Sequence, residues 1–117
     1  MLQIVVVDIG HRISVPLKRE ILIGREDVAT DTYPDVDLTP YGAVGKGVSR
    51  RHAKLVLHGD GLTVEDVGSV NGTFLTGQRL VPYEEMPMRS GDVLQLGTLV
   101  LQIFFDSPGS VQTSPMQ

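Results

Sequence analysis

The feature that most constrains the fold is a series of short apolar runs separated by turn-forming residues. The runs lie at residues 2–8, 11–17, 20–23, 36–38, 53–58, 62–67, 73–75, 79–81, 93–96 and 99–105. Because 13 Gly and 7 Pro are spread along the chain, no window of helical length keeps a 3.6-residue apolar repeat. Short runs at regular spacing are typical of a β-sandwich or barrel. We therefore predict an all-β protein and, at 117 residues, a single domain.

The pattern inside the runs indicates how the strands are arranged. In "HRISVPL", Ile13, Val15 and Leu17 fall on one face of a strand, as a half-buried strand requires. The Asp-Gly pair in "HGDG" at 58–61 and the "TGQ" at 76–78 are typical of tight reversals. Consecutive strands are therefore expected to be antiparallel neighbours.

Two stretches lack this periodicity. Residues 25–48 are irregular apart from the brief strand at 36–38, and an irregular stretch this long in a compact domain is usually functional or disordered. The C-terminal "DSPGSVQTSPMQ" has no aromatic residue. We predict a domain at 1–105 and a flexible tail at 106–117.

Composition and charge bear on compartment and partners. The chain has no Cys, so it forms neither disulfides nor thiolate metal sites. The N-terminal "MLQIVVVD" lacks a basic segment and is far shorter than the ~20 apolar residues that span a bilayer. A formal net charge of −4 provides no basic face for a nucleic acid. We expect a cytoplasmic protein with no membrane or nucleic-acid partner.

The sequence partly matches a phosphate-binding motif and a catalytic motif but completes neither. Lys46 is followed by Gly47 instead of Ser or Thr, and no Gly stands five residues before Gly45, so the phosphate-binding P-loop is excluded. Ser49 has a Gly two residues before it but Arg51 two residues after it, which breaks the nucleophile motif of hydrolases.

Metal signatures are also absent from the sequence. The spacings of His11, His52 and His58 match no zinc motif. The acidic stretch at 27–37 lacks the central Gly and terminal Glu of a calcium loop. We therefore expect no metal and no cofactor.

Three polar motifs lie at the ends of predicted strands: "GR" at 24–25, "SRRH" at 49–52 and "NGT" at 71–73. The loops at one end of a sandwich converge, so these groups are expected to face one small volume. Guanidinium, hydroxyl and loop N–H donors together suit a phosphate group.

In order and spacing, these motifs resemble the forkhead-associated (FHA) domain, the module that binds phosphothreonine peptides. The resemblance covers residues 2 to about 105, and the joint occurrence of three motifs is much more specific than any one alone. It implies an eleven-stranded β-sandwich of two twisted, mostly antiparallel sheets without catalytic activity.

The resemblance also implies roles for individual residues. Arg25 and the Ser49 hydroxyl are expected to bind the phosphate, with a further bond from the Arg50 backbone amide. Asn71 is expected to hold the main chain of the ligand beside the phosphothreonine.

Other positions are expected to support the loops or to lie at the margin of the site. His52 matches the buried structural histidine of the family, and Gly24 and Gly72 match its turn glycines. Peripheral contacts are expected from Lys46, Arg51 and Val70, although Arg51 is equally well explained as a solvated charge at a strand edge.

Two departures from the family pattern stand out. Val70 occupies a position where the family usually has Thr or Ser, so one hydroxyl donor is missing and a reduced affinity is expected. The loop before Ser49 is longer than the compact family version, so Lys46 and Gly47 do not reveal a preference for the third residue after the phosphothreonine.

From this resemblance we expect a bacterial signalling adaptor that binds proteins phosphorylated on Thr by a serine/threonine kinase. The alternative is a degenerate sandwich that docks unmodified protein, with Val70 as its sign. A weaker alternative is a small hydrolase that uses Ser49 and His52.

Overall fold

The structure, a computed structural model, describes residues 1–59 and 61–106. Within them the chain forms eleven β-strands. These are β1 (Leu2–Val6), β2 (His11–Val15), β3 (Glu20–Gly24), β4 (Val36–Asp37), β5 (Arg51–His58), β6 (Gly61–Asp66), β7 (Thr73–Leu75), β8 (Gln78–Arg79), β9 (Met86–Met88), β10 (Val93–Leu96) and β11 (Leu99–Phe104). Single-turn 3-10 helices occur at Val7–Ile9, Val28–Thr30 and Thr39–Tyr41.

The strands form two sheets. The first has the order β2-β1-β11-β10-β7-β8 and the second has the order β4-β3-β5-β6-β9. The paired strands are antiparallel except for β3 and β4, which run parallel. The predicted eleven-stranded, mostly antiparallel sandwich is confirmed.

Strict alternation of side chains creates the core between the sheets. In β1, Leu2, Ile4 and Val6 are buried, whereas Gln3 and Val5 are half-buried on the other face. The central strands of both sheets contribute to the same buried cluster. Transfer of these apolar side chains out of water, about 25 cal/mol per Å², is the main force holding the layers together.

One strand was missed, because the sequence pattern of β9 is short and contains a proline. β9 pairs with β6 through Val64 and Met86 and lies at the edge of the second sheet. Pro87 is tolerated there because the amide that proline lacks is not required on the open side of an edge strand.

Eight of the ten predicted strands begin or end one or two residues away from the strands in the structure, and for β1 and β2 the cause is clear. The chain leaves β1 after Val6 and turns through Gly10, whose φ of 64° closes a 3-10 helix, so Asp8 is outside the strand. β2 ends at Val15 because Pro16 follows, and Leu17 packs on the core from outside the strand.

One predicted reversal lies at the expected residues, and the other involves different turn residues from those predicted. Thr76 and Gly77 have φ values of 48° and 85° and join β7 to β8, as predicted. In the other reversal, His58 pairs with Gly61, so the turn begins at Gly59, with a φ of 55°. Gly61 therefore belongs to β6 and not to the turn.

The last strand ends at Phe104, and the predicted domain boundary at residue 105 stays a prediction. Asp106 is exposed and outside any strand. The remainder of the predicted tail, 107–117, lies outside the described residues, so its flexibility stays a prediction.

Candidate functional site

The three polar motifs meet at one rim of the sandwich, where β3 ends and where β5 and β7 begin. Gly24, the last residue of β3, pairs with Asp37 on one side and Arg51 on the other. A Cβ at Gly24 would overlap the carbonyl of Arg50. The absence of a side chain therefore lets the loop before β5 approach the end of β3, where Arg25 leaves the sheet.

Arg25 is held by its neighbours in a defined position. Its backbone N–H donates to the Arg50 carbonyl at 3.2 Å, and its Nε donates to the Val48 carbonyl at 2.9 Å. Those contacts leave the two terminal NH₂ groups of the guanidinium for a ligand. Arg25 lines an open cleft at this rim together with Ser49.

Ser49 links two loops through its side chain. Its Oγ accepts a hydrogen bond from the Val70 N–H at 3.1 Å, so the hydroxyl proton remains available for donation to an anion. Its own N–H donates to Nδ1 of His52 at 2.9 Å. Ser49 is thus held by one contact to its side chain and one to its backbone, while it lines the cleft.

His52 is fully buried and connects the loops by backbone contacts. Because Nδ1 accepts from the Ser49 N–H, the ring proton is on Nε2, which donates to the Gly72 carbonyl at 2.9 Å. Burial lowers the pKa of His52, although the Gly72 carbonyl and the charge of Asp66 act in the opposite direction. The ring is therefore neutral at pH 7.

This arrangement does not form the pair that a Ser49–His52 hydrolase requires. Both ring nitrogens of His52 are engaged by backbone groups, and the Ser49 Oγ contacts the Val70 N–H instead of the imidazole. A nucleophilic serine needs its base within hydrogen-bond reach. The weaker alternative therefore loses its structural support.

Asn71 stands on the other side of Ser49. Its Nδ2 donates to the Gly47 carbonyl at 3.0 Å, which ties the β6–β7 loop to the loop before β5 and leaves Oδ1 as an acceptor. Gly72 follows with a φ of 90°, and its N–H donates to the Ser69 Oγ at 3.0 Å. A side chain at Gly72 would be strained, since L-residues rarely adopt that φ.

The buried pair Asp66 and Thr73 supports the loop that carries Asn71. Thr73 Oγ1 donates to Asp66 Oδ1 at 2.9 Å, and the Ser69 N–H reaches the same oxygen at 3.3 Å. Among the described residues, every buried side-chain nitrogen and oxygen has a hydrogen-bond partner. The loop that carries Asn71 is therefore internally satisfied before any ligand arrives.

The cleft contains more than the predicted set. It is lined by Arg25, Thr30, Thr32, Ser49, Arg50, Arg51, Val67, Gly68 and Val70. Thr30 and Thr32 were not predicted, because their loop has no periodicity that places them. The only available signal was that the loop is long.

One of the three cleft arginines is already paired. Arg50 Nη1 lies 3.1 Å from Asp27 Oδ2, which also accepts from Thr30 Oγ1 at 2.9 Å. The Thr30 hydroxyl, and then Arg50, lower the pKa of Asp27, so its carboxylate stays charged near neutrality. The Arg50 side chain thus supports the loop, while its backbone N–H donates to none of the described residues.

Asp37 holds the start of the Arg25 loop in the same way. Its Oδ1 accepts from the Glu26 N–H at 2.9 Å, the Thr39 N–H at 3.0 Å and the Thr39 hydroxyl at 2.6 Å. Leu38 N–H donates to the Gly24 carbonyl at 2.8 Å. Residues 25–39 are therefore ordered by polar contacts, although they have little regular structure.

A second cleft adjoins the first beyond Asn71. It is lined by Gly45, Lys46, Gly47, Asn71, Phe74, Gln95, Gly97 and Thr98. Lys46 faces this second cleft and contacts Asp8 at 3.3 Å, so it does not belong to the Arg25 cleft.

Val70 lies at the Arg25 cleft with 82% of its surface exposed. Val70 is not a member of the buried core cluster, and its backbone N–H donates to the Ser49 Oγ. The structure therefore brings Arg25, Ser49, Arg50, Arg51 and Val70 into one cleft. Asn71 and Lys46 lie on its neighbour.

The described residues show no feature of a membrane-spanning helix or of a metal site. In the part of the chain that the structure describes, no helix is both long and apolar enough to cross a bilayer. Residues 1–59 and 61–106 also contain no cluster of three or more His, Cys, Asp or Glu side chains placed to hold a metal ion.

Parts of this sequence are similar to known proteins. FraH of Nostoc is 44% identical over 64 residues, covering 55% of this chain and 22% of FraH. The glycogen accumulation regulator GarA of Mycolicibacterium smegmatis is 33% identical over 89 residues, covering 76% of this chain and 52% of GarA. The chain thus spans at most about half the length of these relatives.

The fold itself matches solved structures. The N-terminal FHA domain of Saccharomyces cerevisiae Rad53, solved with a phosphothreonine peptide, superposes with a TM-score of 0.73 at 19% identity over 90% of this chain and 93% of that one. The FHA domain model matches residues 21–97, more than half of the sequence. The chain therefore belongs to the FHA-domain family.

Proposed function

We propose that this protein is a phosphothreonine-dependent binding module that acts as an adaptor in serine/threonine kinase signalling. The observation that carries the proposal is the placement of the Arg25 guanidinium and the Ser49 hydroxyl in one cleft, each held by backbone contacts that leave its outward donors available. A site ordered before binding loses less entropy when a ligand enters.

The chemistry of recognition follows from the donors. The terminal NH₂ groups of Arg25 match a phosphate in a bidentate manner, and the Ser49 O–H and Arg50 N–H add two further donors. Asn71 Oδ1 accepts from the main chain of the peptide, while Nδ2 keeps the two loops together. The phosphate supplies affinity, and the Asn71 contact selects an extended peptide over a free anion.

Membership of the FHA-domain family also bears on activity, source, compartment and partners. We propose that the protein is non-catalytic, bacterial and cytoplasmic, and that its partner is a Thr-phosphorylated protein with no role for nucleic acid or membrane. Relatives that share the domain include GarA and the FHA domain-containing protein FhaB of Mycobacterium tuberculosis.

A second candidate is a degenerate module that binds unmodified protein. Val70 favours it, because an exposed apolar side chain replaces a hydroxyl at the cleft. The two candidates differ in their dependence on phosphate.

Calorimetric titration with three forms of one peptide separates the two candidate functions. The forms carry phosphothreonine, Thr or Glu at the same position. We expect binding of the phosphothreonine form alone, because Glu has one charge and fewer acceptor oxygens. Affinity should fall from pH 7.5 to 5.5, since the second phosphate pKa is about 6. Equal binding of the Thr form would support the degenerate module.

A pull-down from lysate, with and without phosphatase treatment, extends the test to natural partners. Partners captured only from untreated lysate would agree with the proposal. Partners captured equally from both would contradict it.

A further inference from the structure

Arg51 is the cleft arginine to which we have assigned neither a role in the fold nor a contact with the phosphate. Arg25 is anchored to the Val48 carbonyl, and Arg50 is paired with Asp27. Arg51 is exposed, lines the same cleft and has no ion pair or side-chain hydrogen bond among the described residues. It is therefore a cation that faces the ligand cleft with its full charge available.

The position of Arg51 is set by backbone pairing on both sides. It pairs with Gly24, next to Arg25, and the Val67 N–H donates to the His52 carbonyl at 3.1 Å, which brings the segment 67–68 alongside. Val67 and Gly68 line the cleft with it. Arg51 is thus at the side of the cleft bounded by β3 and β6.

Asn71 belongs to the neighbouring cleft and contacts Gly47. Val70, whose N–H donates to the Ser49 hydroxyl, lines the Arg25 cleft, and the next residue, Asn71, lines the neighbouring one, so the two clefts meet here. A peptide that places its phosphate at Arg25 and its main chain at Asn71 would extend past Arg51 with the residues on its other side.

The charge balance of the cleft points to a second anion. The chain carries a formal net charge of −4, yet three arginines line this cleft. Among residues 1–59 and 61–106, the carboxylate that contacts these arginines is that of Asp27, which is engaged by Arg50. An unpaired cation beside a bound phosphopeptide favours a negative group and disfavours a positive one.

We propose that Arg51 selects phosphothreonine peptides that carry a second anionic group on the Arg51 side of the phosphothreonine. The group is a carboxylate or a second phosphate, which share the charge and acceptor oxygens that a guanidinium recognises. This inference rests on the proposed phosphothreonine binding and specifies the class of peptide.

The test uses fluorescence anisotropy with the full chain and a neutral phosphothreonine peptide. A single Asp, and separately a single phosphoserine, is placed at each of the four positions on either side. We expect a gain confined to one side, about two- to fivefold for Asp, the range of an exposed ion pair. The gain should be larger for phosphoserine and should shrink as salt is raised.

Two variants then locate the cation. The ratio of the dissociation constants of the neutral and the acidic phosphopeptides should fall to about one in Arg51→Gln. It should be retained in Arg12→Gln, which removes the same charge from an exposed position on β2 outside the cleft. Thermal melts check that both variants are folded.

Three outcomes would overturn the inference: no peptide gains from a second anion, the ratio survives in Arg51→Gln, or both phosphopeptides weaken equally in that variant. The last result would place Arg51 on the phosphothreonine itself. The affinity of the neutral phosphopeptide, compared with that of the same peptide without phosphate, tests the proposed function separately. Failure of this inference can therefore be distinguished from failure of the proposed function.

Discussion

At the scale of single residues, Arg25 is the side chain whose loss should matter most to binding. Arg25→Ala removes a charge-assisted bond to the phosphate, and we expect affinity to fall by about 1.5–3 kcal/mol. The melting temperature should change little, because in the part of the chain that the structure describes the guanidinium makes one hydrogen bond, to the Val48 carbonyl. Calorimetry and a thermal melt measure the two effects.

Arg12→Ala is the matched control, since Arg12 is exposed and outside the cleft. An Arg25→Ala variant that binds the phosphopeptide as tightly as the parent would remove Arg25 from the site. Weaker binding by both variants to the same extent would point to net charge instead of a local contact.

Val70 offers a change that should improve binding. Val70→Thr keeps the β-branched shape and adds a hydroxyl donor at the cleft, so we expect affinity for the phosphothreonine peptide to rise by about 0.5–3 kcal/mol. With 82% of Val70 exposed, the hydroxyl is not buried in an apolar setting and the melting temperature should be retained.

The control for that prediction is Val81→Thr, which alters an exposed Val outside the cleft. The gain should be specific to Val70→Thr and to the phosphorylated peptide. An unchanged dissociation constant in Val70→Thr would show that position 70 does not face the phosphate.

At the scale of secondary-structure elements, the approach of the loop before β5 to the end of β3 depends on Gly24. Gly24→Ala places a Cβ against the Arg50 carbonyl, and backbone atoms yield less readily than a flexible side chain. We expect a loss of about 1–3 kcal/mol in the free energy of unfolding, as in other overpacked sites. Phosphopeptide binding should weaken too, because Arg25 and Ser49 are positioned by this contact.

Gly45→Ala is the matched control in chemical denaturation. A Cβ there meets only the Gly42 carbonyl at 3.9 Å, an ordinary contact, and Gly45 is exposed. Equal stability of the two variants would mean that the end of β3 can open without cost, contrary to the geometry.

At the scale of the whole molecule, His52 joins the sheets, because it lies in β5 and bonds the loop that leads to β7. Burial holds its folded-state pKa below 6.5, so the unfolded chain takes up the proton first as pH falls. The stability that depends on neutral His52 is fully present above about pH 6.5 and is lost progressively below it. Thermal melts from pH 7.5 to 5.5 should therefore show a falling melting temperature.

His52→Gln should flatten that dependence, although the variant is less stable because buried backbone groups lose a partner. Hydrogen bonds from Thr30 and Arg50 lower the pKa of Asp27 below its ordinary value of 3.8, and those from Thr63 and His58 lower the pKa of Glu85 below its ordinary value of 4.5. The stability that depends on these carboxylates therefore begins to fall only as the pH approaches those ordinary values, below the range of the melts. A pH profile in His52→Gln as steep as that of the parent would assign the effect to another group.

Local patterns were sufficient for much of this architecture. Runs with strand-like patterning marked nine of the eleven strands, since each buried strand must present one face to the core, and a tenth, β4, was placed at 36–38 within the irregular stretch. β9 was not predicted, because Met86–Met88 is short and centred on a proline. Its pairing with β6 is what makes it a strand. The motifs at 24–25, 49–52 and 71–73 likewise identified the loops that meet at one rim.

By itself, therefore, the sequence determined the all-β class, the family and the residues of the binding motifs, because hydrophobic periodicity and turn chemistry are local properties. Only the tertiary structure decided the partners of the charged side chains: Arg50 is paired with Asp27, Arg51 is exposed in the cleft, and Lys46 faces the neighbouring one. The physical reason is that such contacts join loops far apart in the chain. Their distances are set by how the two sheets pack, and no local pattern encodes that packing.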